Sequence, residues 1–81
     1  MYETTWYYRE KVLTKRPYLE LQWLIAIIEA PLAQEVQPDG RMRFWGRVPE
    51  YGNRVFRVVT LEDGQTILNA FPDRTFRESR Q

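Results

Sequence analysis

The sequence predicts a single α+β domain in which two N-terminal helices pack on one face of a four-stranded antiparallel meander. Two patterns predict this class. Apolar residues recur at helical spacing in the first part of the chain, and they alternate in the later part between hairpin-type turn motifs. A chain of 81 residues is too short to build two hydrophobic cores, so residues 1–81 are expected to form one domain.

Two helices are expected, separated by a proline. The segment from Thr5 to Lys15 has helical spacing, with Trp6 and Leu13 on its packed side, and Pro17 ends it. The second helix is expected from Leu19 to Ala30. Its apolar stripe consists of Leu21, Leu24, Ile27 and Ile28. A stripe this wide on a short helix indicates packing against a sheet.

Three turn motifs then connect four strands: QPDGR, PEYGN and LEDGQT. The first suits a type I turn with a glycine bulge, and the last contains the two-residue hairpin signal Asp63-Gly64. The middle motif is interpreted as a simple four-residue loop, Pro49 to Gly52. Pairing outward from these turns places Arg43 opposite Glu35, where the two charges can neutralise each other.

The predicted register divides the sheet into two faces. One face is apolar and is assigned to the helices: Val36, Met42, Phe44, Val48, Val55, Val59, Leu61, Leu68 and Ala70. The other face combines arginines with aromatic rings, and it pairs Trp45 with Phe56 and Arg47 with Arg54. Arg57 falls on the core side, where we expect it either to reach a helix acid such as Glu29 or to be moved by a local bulge.

The second face has the side-chain chemistry that binds nucleic acid. Guanidinium groups bind phosphates in a bidentate way, and exposed aromatic rings stack on unpaired bases. Arg47 and Arg54 would repel each other unless an anion lies between them. The residues expected to bind nucleic acid, here RNA, are Arg41, Trp45, Phe56, Asn69, Phe71 and Arg74. Arg77 and Arg80 of the C-terminal segment are expected to extend this basic surface.

Two other interpretations of this face stay open. A protein interface or a homodimer contact could use the same residues, because Trp, Phe and Arg are enriched at binding hot spots. The arginine stems could also simply cover apolar surface. The acids Glu62, Asp63 and Asp73 lie in turn segments and are interpreted as turn formers rather than magnesium ligands.

The composition excludes several kinds of site. The chain contains no His and no Cys, which excludes disulfides, thiolate nucleophiles, imidazole catalysis and the usual zinc ligand sets. We therefore expect no metal and no other cofactor. The longest apolar run, Trp23 to Ile28, is far shorter than the ~18 residues of a membrane span. The N-terminal segment also lacks the layout of a signal peptide, so we expect a cytoplasmic protein without a membrane partner.

The order of these motifs resembles that of a group of small bacterial proteins. A helix followed by EAPL, the strand DGRMRFWGRV and the hairpin RVFRVVTLEDGQTILNAFPDR is similar to the RelE/BrnT-like toxin superfamily and to uncharacterised families near it. The resemblance covers about Arg9 to Arg74. It implies a RelE/BrnT-like fold and a metal-free endoribonuclease of toxin–antitoxin type, which an antitoxin-like protein partner silences.

The resemblance also implies roles for particular residues. Cleavage by attack of the ribose 2′-hydroxyl on the adjacent phosphate needs cations, a base and an acid. Tyr51 is the candidate proton donor and Glu50 the candidate base, both in the loop between two arginine-bearing strands. The cationic role is assigned to Arg43, Arg47, Arg54 and Arg74.

Overall fold

The structure is a computed structural model that describes residues 1–77. In chain order its elements are β1 (Glu3–Thr4), a π-helix (Tyr8–Val12) that continues into α1 (Leu13–Lys15), α2 (Leu21–Glu29), β2 (Ala33–Val36), β3 (Met42–Val48), a 3₁₀ turn (Pro49–Tyr51), β4 (Arg54–Thr60) and β5 (Thr66–Pro72). The predicted α+β class is confirmed. Arg80 lies outside the described residues.

The sheet has five strands in the order β1-β5-β4-β3-β2 and is mixed. Strands β2 to β5 pair antiparallel with their sequence neighbours, whereas β1 pairs parallel with β5 through Glu3–Thr66 and Thr4–Ile67. The expectation of a four-stranded, purely antiparallel sheet is therefore wrong. A two-residue strand is too short to show an alternating pattern, which is why the sequence gives no sign of β1.

The first helical segment presents a different face to the core from the one expected. Tyr8 and Val12 are buried, whereas Trp6, expected on the packed side with Leu13, is 61% exposed. The cause is the π-helix, in which the N–H of Leu13 donates to the carbonyl oxygen of Tyr8, five residues earlier. This wider turn changes the angular spacing of the side chains, so Trp6 and Leu13 no longer share a face.

Helix α2 packs closely across β3. Leu24 and Ile27 are buried, but Leu21, expected in the same stripe, is 43% exposed at the first position of the helix. A Cβ at Gly46 would lie 2.8 Å from Cγ1 of Ile27, so only glycine allows the helix this close to the strand. The core on this side of the sheet consists of Tyr8, Val12, Leu19, Leu24, Ile27, Phe44, Val48, Phe56, Val58, Ile67 and Ala70.

Strand β4 lies one residue away from the expected register with β3. Trp45 pairs with Arg57 rather than Phe56, and Arg47 pairs with Val55 rather than Arg54. The connection from Pro49 to Asn53 is one residue longer than the expected loop, because Gly52 and Asn53 both adopt positive φ angles, 66° and 56°, before β4 begins. A one-residue shift turns every side chain of a strand to the opposite face.

Two consequences follow for the faces of the sheet. Val55, Arg57 and Val59 belong to the face away from the helices, named the open face below, whereas Phe56 and Val58 belong to the core. The assignment of Val55 and Val59 to the helix side is therefore wrong. A bulge between Val59 and Thr60 shifts the β4–β5 pairing, so that Arg57 lies opposite Phe71.

Candidate nucleic-acid interface

The two ends of the sheet differ in their charged residues. The turn end is formed by the connections at residues 37–41 and 61–65. The arginine end is formed by residues 49–53 and by residues 73–77, which follow β5. Because β3 and β5 run from the turn end to the arginine end and β4 runs back, the ends of β3 and β5 lie on either side of the start of β4, with Val48 opposite Arg54 and Pro72 opposite Phe56.

Three arginines from separate elements line one cleft at the arginine end. Arg47 comes from β3, Arg54 begins β4, and Arg74 follows β5; the cleft has a volume of about 420 Å³. Arg47 donates to the carbonyl oxygen of Asn53 at 3.2 Å. Within residues 1–77, Arg54 and Arg74 form no ion pair. The arrangement concentrates positive charge around a space that can admit an anion.

The predicted register required Arg47 and Arg54 to lie on one face of the sheet, but in the structure they belong to opposite faces. Arg54 pairs with Val48 and belongs to the row that faces the helices, whereas Arg47 belongs to the open face. Both nevertheless line the same cleft, because they lie at the end of the sheet, where long side chains from either face can extend past the last strand residues.

A second cleft of about 380 Å³ adjoins the first and shares Arg54 with it. Its other lining residues include Glu50 and Tyr51, so the structure places the candidate base and proton donor beside one arginine. The Tyr51 ring stacks on Tyr18 at a centroid distance of 4.7 Å, which fixes its position. Burial raises the pKa of Tyr18, and the nearby Tyr51 hydroxyl raises it further, so the Tyr18 phenol keeps its proton at neutral pH.

Asp73 is the centre of the hydrogen-bonding network next to the arginine cleft. One carboxylate oxygen accepts from Nε1 of Trp45 at 2.9 Å and from Nε and Nη2 of Arg57 at 3.1 and 2.9 Å. The other accepts from the backbone N–H and the hydroxyl of Thr75. Burial alone would raise the pKa of Asp73, but the hydrogen bonds from Thr75, Trp45 and Arg57 outweigh it and hold the pKa well below its usual value.

The three aromatic residues expected to stack on bases have different positions. Phe56 is fully buried, so its expected role is wrong; the register shift of β4 is the reason. Trp45 lies on the open face, but Phe76 stacks on its ring at 5.4 Å, so the ring is not an uncovered platform. Phe71 also lies on the open face, where the guanidiniums of Arg57 and Arg16 lie 5.0 and 5.7 Å from its ring centroid.

Two of the predicted arginines lie away from the arginine cleft. Arg43 pairs with Glu35 at 2.9 Å, as expected from the turn, and is four residues earlier on β3 than Arg47. Arg41 lies at the turn end, where it lines a different cleft together with Asp39, Glu62 and Asp63. Neither arginine is therefore placed to bind a phosphate that lies in the arginine cleft.

Sequence reasoning missed several residues at or beside the two clefts of the arginine end: Tyr18, Arg57, Asp73 and Phe76. One signal was present for Arg57, because an arginine assigned to a helix-covered face indicates a wrong register. Arg57 does not reach Glu29, which instead accepts a hydrogen bond from the Tyr2 hydroxyl. Asn69 lies on the open face at the β5 edge, against the first helical segment.

Comparison of the chain with protein-family models, with curated proteins and with solved structures finds no match. Residues 1–77 include no helix that is long and apolar enough to cross a membrane. In the same residues, no group of three or more carboxylates is arranged to hold a metal ion.

Proposed function

We propose that the protein binds RNA through the arginine cleft. The observation that carries the proposal is that Arg47, Arg54 and Arg74, which come from three separate elements, line one cleft. Bringing three like charges together costs free energy in the absence of an anion, and guanidinium groups bind phosphate strongly through paired hydrogen bonds. Asp73, the one carboxylate among the described residues that line the cleft, is already paired with Arg57 and so does not neutralise Arg54 and Arg74.

The surroundings of the cleft favour RNA over a small inorganic anion. Phe76 lines the cleft beside the arginines, so one surface can contact both a phosphate and an unstacked base. The cleft volume of about 420 Å³ is within the usual range for sites that bind small organic molecules. Burial of Phe56 and the stacking of Phe76 on Trp45 reduce the exposed aromatic surface for a protein interface or homodimer contact as much as for base stacking, so the preference for RNA rests on the cleft arginines.

The finer form of the proposal is metal-free cleavage of the bound RNA. The 2′-oxygen would form a bond to the adjacent phosphorus while the bond from phosphorus to the 5′-oxygen breaks, which gives a 2′,3′-cyclic phosphate and a 5′-hydroxyl. Arg47 and Arg54 would balance the developing charge. Glu50 would accept the 2′-hydroxyl proton, and Tyr51 would donate a proton to the leaving oxygen.

One observation supports this finer proposal. Glu50 and Tyr51 line a cleft that shares Arg54 with the arginine cleft, so acid, base and cation are neighbours. The RelE/BrnT-like fold remains part of the proposal, and the α+β class of the structure is compatible with it. On this proposal an antitoxin-like protein would be the partner that silences the activity.

The binding test uses fluorescence anisotropy with a labelled single-stranded RNA. The variant Arg54→Ala with Arg74→Ala should lose at least about tenfold in affinity, because each lost charge-assisted hydrogen bond is worth roughly 1.5–3 kcal/mol. The matched control is Arg41→Ala with Arg43→Ala, which removes the same charge away from the cleft and should retain wild-type affinity. Equal losses in both variants, or no RNA binding by the wild type, would overturn the proposal.

The cleavage test incubates the same RNA with protein in EDTA and identifies the product ends. The wild type should generate 2′,3′-cyclic phosphates, and Tyr51→Phe should be at least about a hundredfold slower, because it removes only the transferable proton. Tyr51→Phe should bind RNA as tightly as the wild type. If the wild type binds RNA but does not cut it, the ribonuclease form of the proposal fails and RNA binding stands.

A further inference from the structure

A second group of cations surrounds a separate cleft between the first helical segment and β5. Lys11, Lys15 and Arg16 line this cleft together with Tyr7, Val12 and Asn69, and its volume is about 290 Å³. No carboxylate is among these lining residues, and within residues 1–77 none of the three cations forms an ion pair. Cations four residues apart on a helical segment repel each other, so stability of the fold does not explain the cluster.

The other groups around this cleft also suit an RNA strand. The Asn69 side-chain oxygen accepts from the N–H of Ala70 at 2.8 Å, which leaves the amide N–H groups of Asn69 to donate to a ligand. Trp6 and Tyr7 are 61% and 48% exposed, and the Lys11 ammonium lies 5.9 Å from the centroid of the Trp6 ring. Exposed rings beside cations are the combination that binds single strands by stacking and charge.

A continuous row of side chains joins this cleft to the arginine cleft. Each member contacts the next across the open face, in the order Arg16, Phe71, Arg57, Trp45 and Phe76. Asn69 and Pro72, which line the two clefts, are separated by three positions of β5, or roughly 10 Å at about 3.3 Å per residue. The two clefts are therefore close enough for one short strand to reach both.

We propose that the cleft formed by Lys11, Lys15, Arg16 and Asn69 is a second phosphate-binding subsite, so that one single-stranded RNA spans the open face between the two clefts. This inference rests on the proposed RNA binding at the arginine cleft. It specifies the substrate class: a flexible single strand of several nucleotides. An RNA duplex is stiff and cannot follow the face with unstacked bases.

The test measures anisotropy with two labelled single-stranded RNAs, one of about 12 nucleotides and one of about 2 nucleotides, which has a single phosphate and cannot occupy two phosphate sites at once. Lys11→Ala with Lys15→Ala should bind the longer RNA about tenfold more weakly, with a salt dependence flatter by about 1.4, since each lost phosphate contact on a single strand contributes about 0.7. Its affinity for the shorter RNA, which occupies the arginine cleft alone, should match that of the wild type. Both lysines are exposed, so the variant should keep the wild-type circular dichroism spectrum.

The variants separate this inference from the proposed function. If Arg54→Ala with Arg74→Ala weakens binding of the longer RNA while the lysine variant behaves like Arg41→Ala with Arg43→Ala, the second subsite is overturned and the proposed function stands. If the wild type binds neither RNA, both are overturned. An unlabelled duplex should compete at least about tenfold less well than the single strand. Equal competition would overturn the assignment to a single-stranded substrate.

Discussion

The turn end and the arginine end of the sheet use charged residues in opposite ways. At the turn end, three carboxylates and one arginine line a cleft, and two of the carboxylates close turns: Asp39 accepts from the N–H of Arg41, and Asp63 accepts from the N–H groups of Gln65 and Thr66. At the arginine end, the cleft is lined by three arginines and one carboxylate among residues 1–77. That carboxylate, Asp73, is engaged by Arg57 and does not offset Arg54 and Arg74.

The range of the contacts separates the two ends further. The partners of Asp63 lie within three residues in the sequence, whereas Arg57 and Trp45 are 16 and 28 residues from Asp73. The turn end is therefore built by local interactions that form wherever the turn forms. The arginine end depends on the completed sheet, because β3, β4 and the segment after β5 must all be in place before its cleft exists.

The substitution Asp73→Asn is expected to change the free energy of unfolding more than any other test of the difference between the two ends. It removes the counter-ion of Arg57, whose side chain is only 27% exposed. Loss of one partner of a fully buried pair costs about 3–5 kcal/mol, so we expect a decrease of about 2–3 kcal/mol in the free energy of unfolding for this partly exposed pair. Urea denaturation at neutral pH measures it.

The matched control is Asp63→Asn at the turn end. Asp63 is exposed and, within residues 1–77, its side chain accepts hydrogen bonds only from its own turn, so its loss should cost less than half as much as the loss of Asp73. Equal costs at the two ends would show that the Asp73 network contributes no more than an ordinary turn, and the contrast between the ends would then fail.

The difference between local and long-range contacts also explains how much the sequence could predict. The Glu35–Arg43 pair was predicted correctly because the QPDGR turn fixes the β2–β3 register. The β3–β4 register was predicted wrongly, because Asn53 adopts a left-handed conformation after Gly52 and adds a residue to the connection. Asn tolerates that conformation better than most residues, but its presence in a sequence does not require it.

The same reasoning applies to the candidate site. Arg47 and Arg54 lie on either side of one connection, and this position alone predicts that they are neighbours. Both do line one cleft. The expectation that Arg43 joins them assumed that all arginines on one face of β3 contact the same ligand. The network of Trp45, Arg57 and Asp73 could not be predicted, because a one-residue error in the phase of β4 places Arg57 on the other face.

The pH dependence of the free energy of unfolding is a smaller effect. It tests the hydrogen-bonding network of Asp73 without a substitution. Because the pKa of Asp73 is held below its unfolded value of about 3.9, the unfolded chain takes up the proton first as the pH falls. The stabilisation by this carboxylate is therefore complete above about pH 5 and should decrease by about 1 kcal/mol by about pH 3. The pKa of Asp63 is also lowered, by hydrogen bonds from the Thr66 hydroxyl and from the N–H groups of Gln65 and Thr66, so other carboxylates contribute in the same direction.

The contribution of Asp73 is isolated by a difference between two proteins. Urea denaturation of the wild type and of Asp73→Asn should give a gap in unfolding free energy that is constant from neutral pH to about pH 5 and then narrows by about 1 kcal/mol towards about pH 3. Asparagine does not titrate, so turn-end carboxylates affect both proteins equally and cancel. A gap that stayed constant down to about pH 3 would mean that folding does not lower the pKa of Asp73. Asp73 would then contribute nothing to the pH dependence of stability, whereas Asp63 at the turn end has a lowered pKa and would still contribute to it.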